Sequence, residues 1–193
     1  MDRLSDAETE RLWLRRWSAA QHTQALADIN RDPRVMRYVG GALADAETAE
    51  ASRRYDDHWD AHGFGLWAAT EKASGHTLGF IGLVHPLWNP ELSTEVEVGW
   101  RLRRAAWGRG LATEGARAAL QAGFDELGLQ EIIAIVDPEN AASMAVARKL
   151  GMTLRDSGVH PQTGIPIEVM SIRRGGVDEP DRLSSRPQAA RGH

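Results

Sequence analysis

Residues 97–120, EVGWRLRRAAWGRGLATEGARAAL, read as a strand that runs into a glycine-rich loop and opens directly onto a helix. The strand takes residues 96–102, the loop 103–111 and the helix 112–127. Ala112, Ala116, Leu120, Phe124 and Leu127 recur at the helical period and form a buried stripe, and Gly128 supplies the stop. Gly108 and Gly110 have no side chains, so a ligand can approach the loop backbone closely, while the free N–H groups of the first helical turn and the helix dipole point at the same spot. That geometry attracts phosphate, although a tight turn alone would use the same glycines. Two phosphate loops are excluded by spacing. A Walker loop ends in Gly-Lys-Ser/Thr, and here Gly110 is followed by Leu111 and Ala112; a dinucleotide fingerprint needs a third glycine where Thr113 stands.

The chain has 193 residues, 42% hydrophobic and 26% charged, which suits one well-filled core and therefore one domain followed by a short tail. The sequence contains no cysteine, which excludes disulfides, thiolate metal sites and a cysteine nucleophile, and is compatible with a reducing compartment. No apolar run approaches the roughly 20 residues of a membrane span, and the opening Met1-Asp2-Arg3-Leu4-Ser5 lacks the basic and apolar regions of a secretion signal. A cytoplasmic protein without a membrane partner is expected. A net charge of -4 argues against general nucleic-acid binding. Arg101, Arg103, Arg104 and Arg109 flank the glycine loop, as a solvated edge or as contacts to an anion.

Taken in order, residues 10–17 alternate Leu12 and Leu14 with charged or aromatic neighbours, as in a first strand after a polar lead. Ser18 and Gln21 have the form of a capping box before a helix with Ala25, Leu26 and Ile29 on its apolar stripe. Asp32-Pro33 restarts a helical turn. Asp45 caps a long helix over 46–61, closed by Gly63; its His58 and His62, four apart, read as a partly exposed face where positive charge is welcome near a helix end. Residues 64–70 and 76–85 form antiparallel strands around a hairpin. After the central strand and helix, residues 131–136 form an apolar strand, and a helix follows up to Leu150, with Gly151 as its stop. The βαβ order makes the strands at 96–102 and 131–136 parallel neighbours. Two last strands follow, at 153–159 and 165–173, and residues 175–193 have a disordered composition.

Trp107-Gly108-Arg109-Gly110-Leu111-Ala112 resembles the acyl-CoA pyrophosphate loop of the GNAT acetyltransferase superfamily, Q/R-x-x-G-x-G/A. Gly110 and Ala112 match, while Trp107 stands where Gln or Arg is usual; a Trp followed by Gly-Arg/Lys-Gly is similar to the branch of the RimJ and RimL ribosomal-protein N-terminal acetyltransferases. ETERLWLRRW and INRDPRVMRYVGG are similar to that branch's opening, Gly79-Phe80-Ile81-Gly82-Leu83 to its third strand, Asn140-Ala141-Ala142-Ser143 to its N-x-x-S, and Arg148-Lys149-Leu150-Gly151-Met152 to its K-L-G-F. The resemblance spans residues 10–173. It implies an α/β (α+β) GNAT fold: a mixed sheet of about seven strands with a splayed parallel pair, flanked by helices. The domain is expected over 1–174, with the tail beyond it.

The activity implied is acyl transfer from acetyl-CoA, as co-substrate, to an amine, with no metal. An acetyl thioester is already activated, so the protein must bind it, place a neutral amine and steady the oxyanion. By resemblance, backbone groups of Trp100, Arg101 and Leu102 pair with the pantetheine beside a bulge at Gly99. Those of Trp107, Gly108, Arg109, Gly110, Leu111 and Ala112 take the pyrophosphate, and Asn140 holds the far end of the arm or is simply a helix cap. Glu97 aligns with the acidic position before the family's Gly-aromatic pair and is the expected base; His85 is the second candidate, and Glu95 reads as solvent-facing. The usual Tyr acid is replaced by Ala147, which leaves Ser143, water or no acid for the thiolate. Three functions follow: an N-acetyltransferase of a protein N-terminus or small amine, a non-catalytic acyl-CoA-binding or sensing module, or an aminoglycoside-type resistance enzyme. A monomer or homodimer is expected.

Overall fold

Leu12 and Leu14 alternate with Trp13 and Arg15, and both leucines lie fully buried, as on a strand with one covered face. The structure, a computed structural model, describes residues 4–175. Its single sheet has eight strands: β1 Ala7–Glu8, β2 Leu12–Arg16, β3 Leu66–Glu71, β4 Thr77–Val84, β5 Glu97–Leu102, β6 Glu131–Val136, β7 Thr153–Val159 and β8 Pro166–Arg173. They lie in the order β1-β2-β3-β4-β5-β6-β8-β7. Every pair is antiparallel except β5 with β6. The sequence implied about seven strands; the eighth is β1, two residues within the polar lead and too short to show any period. The tail expected over residues 175–193 lies, beyond Gly175, outside the described residues.

Helices α1 Ala19–Asn30, α2 Pro33–Met36 and α3 Asp45–His62 precede β3. Tyr55 of α3 meets Phe80 of β4 edge-on at 5.3 Å, and Trp17 Nε1 donates to Ser52 Oγ at 3.0 Å, so α1 and α3 cover the face onto which Phe80 points. Ile81, the next residue of β4, points the opposite way onto α4, Leu111–Asp125. A Cβ added to Gly115 would lie 2.4 Å from Ile81 Cδ1, and one at Gly123 within 2.8 Å of both Ile132 and Leu83 methyls. Only side-chain-free positions let this helix lie so close to the sheet. The last helix, α5 Ala141–Lys149, packs beside α4 and β6.

Local details depart from the expected caps. Ser18 occupies the N-cap of α1 but its hydroxyl caps nothing; His22 Nδ1 accepts the Ser18 N–H at 3.0 Å and Asp56 accepts that of Ala19 at 2.9 Å. Asp45 is already helical and pairs with Arg31, while Glu47 accepts the Ala44 N–H at 2.8 Å. Ala44 is the N-cap, and the carboxylate one turn in bonds back to its amide, the reverse half of a capping box, while no side chain among the described residues caps the first-turn amides. The irregularity expected at Gly99 also lies elsewhere. The β4–β5 ladder keeps its register from Gly79↔Leu102 to Val84↔Glu97, and the shift falls where β4 meets β3, beside Gly79. There φ is 148° and a Cβ would lie 2.0 Å from the Arg101 carbonyl oxygen, so the chain bulges where a residue without a side chain permits it.

Candidate active site

The parallel pair separates almost as soon as it forms. β5 and β6 share one bridge, Glu97↔Ile133, with the Ile133 N–H donating to the Val96 carbonyl at 2.9 Å. Beyond it the strands diverge toward their C-terminal ends, the place where open α/β sheets bind ligands. A cleft of about 1440 Å³ opens there, larger than a drug-sized pocket requires. Alternation along β5 decides which backbone groups face the gap. Arg103 N–H donates to Leu78 O, and Arg101 pairs with Phe80; odd-numbered residues therefore bond to β4, and the amides and carbonyls of Trp100 and Leu102 point toward β6. The Leu102 carbonyl is met by Trp107 Nε1 at 2.8 Å. The backbone of Arg101, expected to pair with pantetheine, is held instead by the β4 ladder.

The glycine loop closes one end of the cleft. Gly108 and Gly110 have φ of 70° and 79°, and Gly110 is the N-cap of α4 without any side-chain cap, so the first-turn amides are left to whatever enters. Trp107, Gly108, Gly110, Leu111 and Ala112 line the cleft. Arg109 does not: its guanidinium is bound by Glu71, and its carbonyl accepts from Arg11 Nη1 at 2.8 Å. Arg11 in turn clasps Glu114 in the first turn of α4. Arg104 pairs with Asp32 at 3.6 Å, and the buried Arg103 Nε has no partner among the described residues. Of the arginines flanking the loop, Arg104 and Arg109 serve the scaffold.

On β5, Glu97, Gly99 and Arg101 share one face. That face is the α1/α3 side, because Arg101 lies over the Phe80 ring at 5.2 Å and donates to Asn30 Oδ1 of α1 at 2.9 Å. A Cβ at Gly99 would find only Leu66 Cδ2, at 3.9 Å, so open space separates the carboxyl from the guanidinium.

Residues 11–153 match the acetyltransferase (GNAT) domain family. The chain belongs to the GNAT acetyltransferases. It is an acetyl-CoA-dependent N-acetyltransferase. The uncharacterised protein YkkB of Bacillus subtilis is 35% identical over 144 residues, which cover 75% of this chain and 83% of that one. An FsC-acetyl coenzyme A-N(2)-transacetylase of Aspergillus fumigatus is 31% identical, covering 69% and 59% respectively. Among solved structures, an acetyltransferase of Agrobacterium tumefaciens superposes with a TM-score of 0.75 at 30% identity, over 88% of this chain and 94% of that one.

In this GNAT protein the half-buried Glu97 sits at the apex of the splay. Burial pushes its carboxyl up to about 8, opposed by a hydrogen bond from the Ile135 backbone, whose N–H faces the gap. Glu95 lies outside the site, in a two-pronged ion pair with Arg155 at 2.6 and 2.8 Å. His85 lines the cleft, and its Nδ1 lies 2.7 Å from the Glu95 carbonyl. A carbonyl only accepts, so Nδ1 carries a proton.

His58, read from sequence as part of a partly exposed, cation-tolerant face, is buried at 8% exposure. Its Nδ1 meets the Phe64 carbonyl at 2.9 Å, and its Nε2 accepts the His85 backbone N–H at 3.0 Å. Burial lowers its pKa to about 4; the ring is a neutral strut rather than a cation. His62 stands beside it, 4.4 Å between ring centroids. No group of three or more His, Cys, Asp or Glu among the described residues is placed to hold a metal ion.

Across the cleft, Asn140 Oδ1 accepts the Ser143 N–H at 3.1 Å and so caps α5, while its amide nitrogen has no partner among the described residues. Both residues line the cleft. Ala147, at the position of the usual Tyr, is fully buried in the core. Sequence reading grouped the Arg101 side chain with the arginines around the loop and missed that it shares a face with Glu97; the signal was their parity, four places apart on one strand.

Proposed function

We propose that this GNAT enzyme transfers acetyl from acetyl-CoA to a primary amine, on a protein N-terminus or a small molecule, by direct attack with Glu97 as base. The observation that carries this is Glu97 itself: a carboxyl raised to about 8 at the apex of a gap between parallel strands. A base of that pKa is deprotonated in useful amount near neutrality, matches the α-ammonium of a protein N-terminus at about 7.7–8.0, and lies roughly two units below an alkylammonium. Bound acetyl-CoA supplies an activated carbonyl and a thiolate leaving group. The uncapped α4 N-terminus fits its pyrophosphate, and the free backbone groups of Trp100 and the N–H of Leu102, with the Asn140 amide, fit the amides of its arm. The amine nitrogen bonds to the carbonyl carbon, the C–S bond breaks, the ammonium proton goes to Glu97, and the thiolate takes a proton from Ser143 or water. The Trp107-Gly-Arg-Gly and Asn-x-x-Ser segments support the RimJ/RimL-like branch, and the lack of cysteine supports work in the cytoplasm.

Release of CoA thiol reports turnover directly, because the protein has no cysteine to add background. N-terminal peptides, polyamines and aminoglycosides are the acceptors to compare. Acetyl-CoA binding without turnover of any amine would replace this reading with a binding or sensing module.

A further inference from the structure

Among the described residues, several arginines around the cleft are matched to a carboxylate, but of those that line it only Arg54 is, and Arg34, Arg37 and Arg101 are not. Arg104 has Asp32, Arg109 has Glu71, Arg31 has Asp45, and Arg54 has Glu50. Arg101 has none among the described residues, although it is partly buried and lines the cleft. One of its five donors bonds Asn30 Oδ1, and the cation rests on Phe80. Asn30 is itself fully buried and gives its amide to Thr48 Oγ1 at 3.2 Å, so the guanidinium is fixed by a clamp that reaches into α3. A neutral donor would hold α1 to β5 as well as this one does. Keeping a charge there without a counter-charge is costly, unless something in the cleft supplies one.

We propose that Arg101 binds a carboxylate on the acceptor, so that the substrate is an amine carrying its own anion: the amine at Glu97, the chain across Gly99, the carboxylate at Arg101. Glu97 and Arg101 lie roughly 13 Å apart along β5 at ~3.3 Å per residue, and their side chains shorten the span. The open floor at Gly99 leaves the path clear. Arg34 and Arg37, exposed on the same wall and without ion pairs among the described residues, add to a positive field; Asp57, and Asp137 and Glu139 across the cleft, are the acids that oppose it. The phosphates of acetyl-CoA are not the anion. Their uncapped amides belong to α4, which covers the other face of the sheet, whereas the Arg101 side chain is held against α1.

This inference rests on the acyl-transfer reading, and its test separates the two. A homologous series of ω-amino carboxylates is compared with diamines and simple alkylamines of equal length, by thiol release in the wild type, R101K and R101Q. The wild type is expected to favour the carboxylates in kcat/KM by about 10- to 100-fold at one optimal length, the worth of a charge-assisted contact. R101Q should remove that preference and R101K retain part of it, with acetyl-CoA affinity by calorimetry changing little. A wild type that prefers diamines, or R101Q losing acetyl-CoA binding with the carboxylate preference intact, overturns the assignment. If no amine turns over, the acyl-transfer reading falls, and calorimetry of the same series on CoA-saturated protein decides Arg101 alone: tighter, Arg101-dependent binding of the carboxylates supports it, and equal binding of carboxylate and diamine overturns it.

Discussion

His58 accepts the backbone N–H of His85 through Nε2 at 3.0 Å, which leaves its proton on Nδ1, facing the Phe64 carbonyl. Both ring nitrogens of a buried imidazole are thus committed to main chain at the edge of the cleft. Protonation would put a hydrogen where the His85 amide already points. With its pKa lowered to about 4 against about 6.5 in the unfolded chain, the unfolded state takes up the proton first as pH falls. Stability should therefore decline between about pH 6.5 and 4. His58→Ala is expected to cost about 2–4 kcal/mol at pH 7.5, from two orphaned polar groups and a void, and to flatten that decline. Urea unfolding at pH 7.5 and 5 measures both.

Glu97 has the opposite sign. Its carboxyl is raised to about 8 from about 4.3 unfolded, so the folded state holds the proton longer and stability is lost as pH rises through that window. Glu97→Gln should be more stable than the wild type at pH 8.5 by on the order of 1–3 kcal/mol, and indistinguishable near pH 4. Turnover should fall about 10- to 10,000-fold, and the acidic limb of the pH profile should vanish. Full activity retained across the range would move the base to His85, which lines the same cleft.

Gly110→Pro tests the anion loop. Pro cannot adopt the φ of 79° found there and removes an amide, so acetyl-CoA affinity measured by calorimetry should drop at least about tenfold. An unchanged affinity would place the pyrophosphate elsewhere.

Position 147 offers no room for the missing phenol. Ala147 is fully buried, and Ala147→Tyr should lower stability by about 1–3 kcal/mol or more through overpacking, without raising turnover. Asn140→Ala should cost about 1 kcal/mol as a lost cap and weaken acetyl-CoA binding. Ser143→Ala leaves that cap in place, so a fall in turnover at constant melting temperature would mark its hydroxyl as the acid.

Much of the architecture is legible in the chain because the signals are local. The β6 boundaries follow from an unbroken apolar run, and α2 from Asp32 accepting the Arg34 N–H with Pro33 behind it. What was not legible depends on partners far away in sequence. Nothing near Ser18 reveals that His22 and Asp56 will satisfy the first amides of α1. Nothing near Arg109 reveals Glu71, and Asn30 lies 71 residues from the guanidinium it holds. His58 looked partly exposed because periodicity gives a helix its faces but not which of them the core will cover.

The lone bridge between β5 and β6 leaves five strands on one side and three on the other, joined within the sheet by a single stitch and backed by α4, which packs on both. A molecule lying in the gap and bonding to both lips would act as the absent rung of the ladder. The enzyme's rigidity is then partly borrowed from its own co-substrate: the two half-sheets should breathe against each other when it is gone and lock when it arrives, with melting temperature climbing as its concentration rises above Kd. A fold stitched so lightly at its centre makes binding and cohesion the same event.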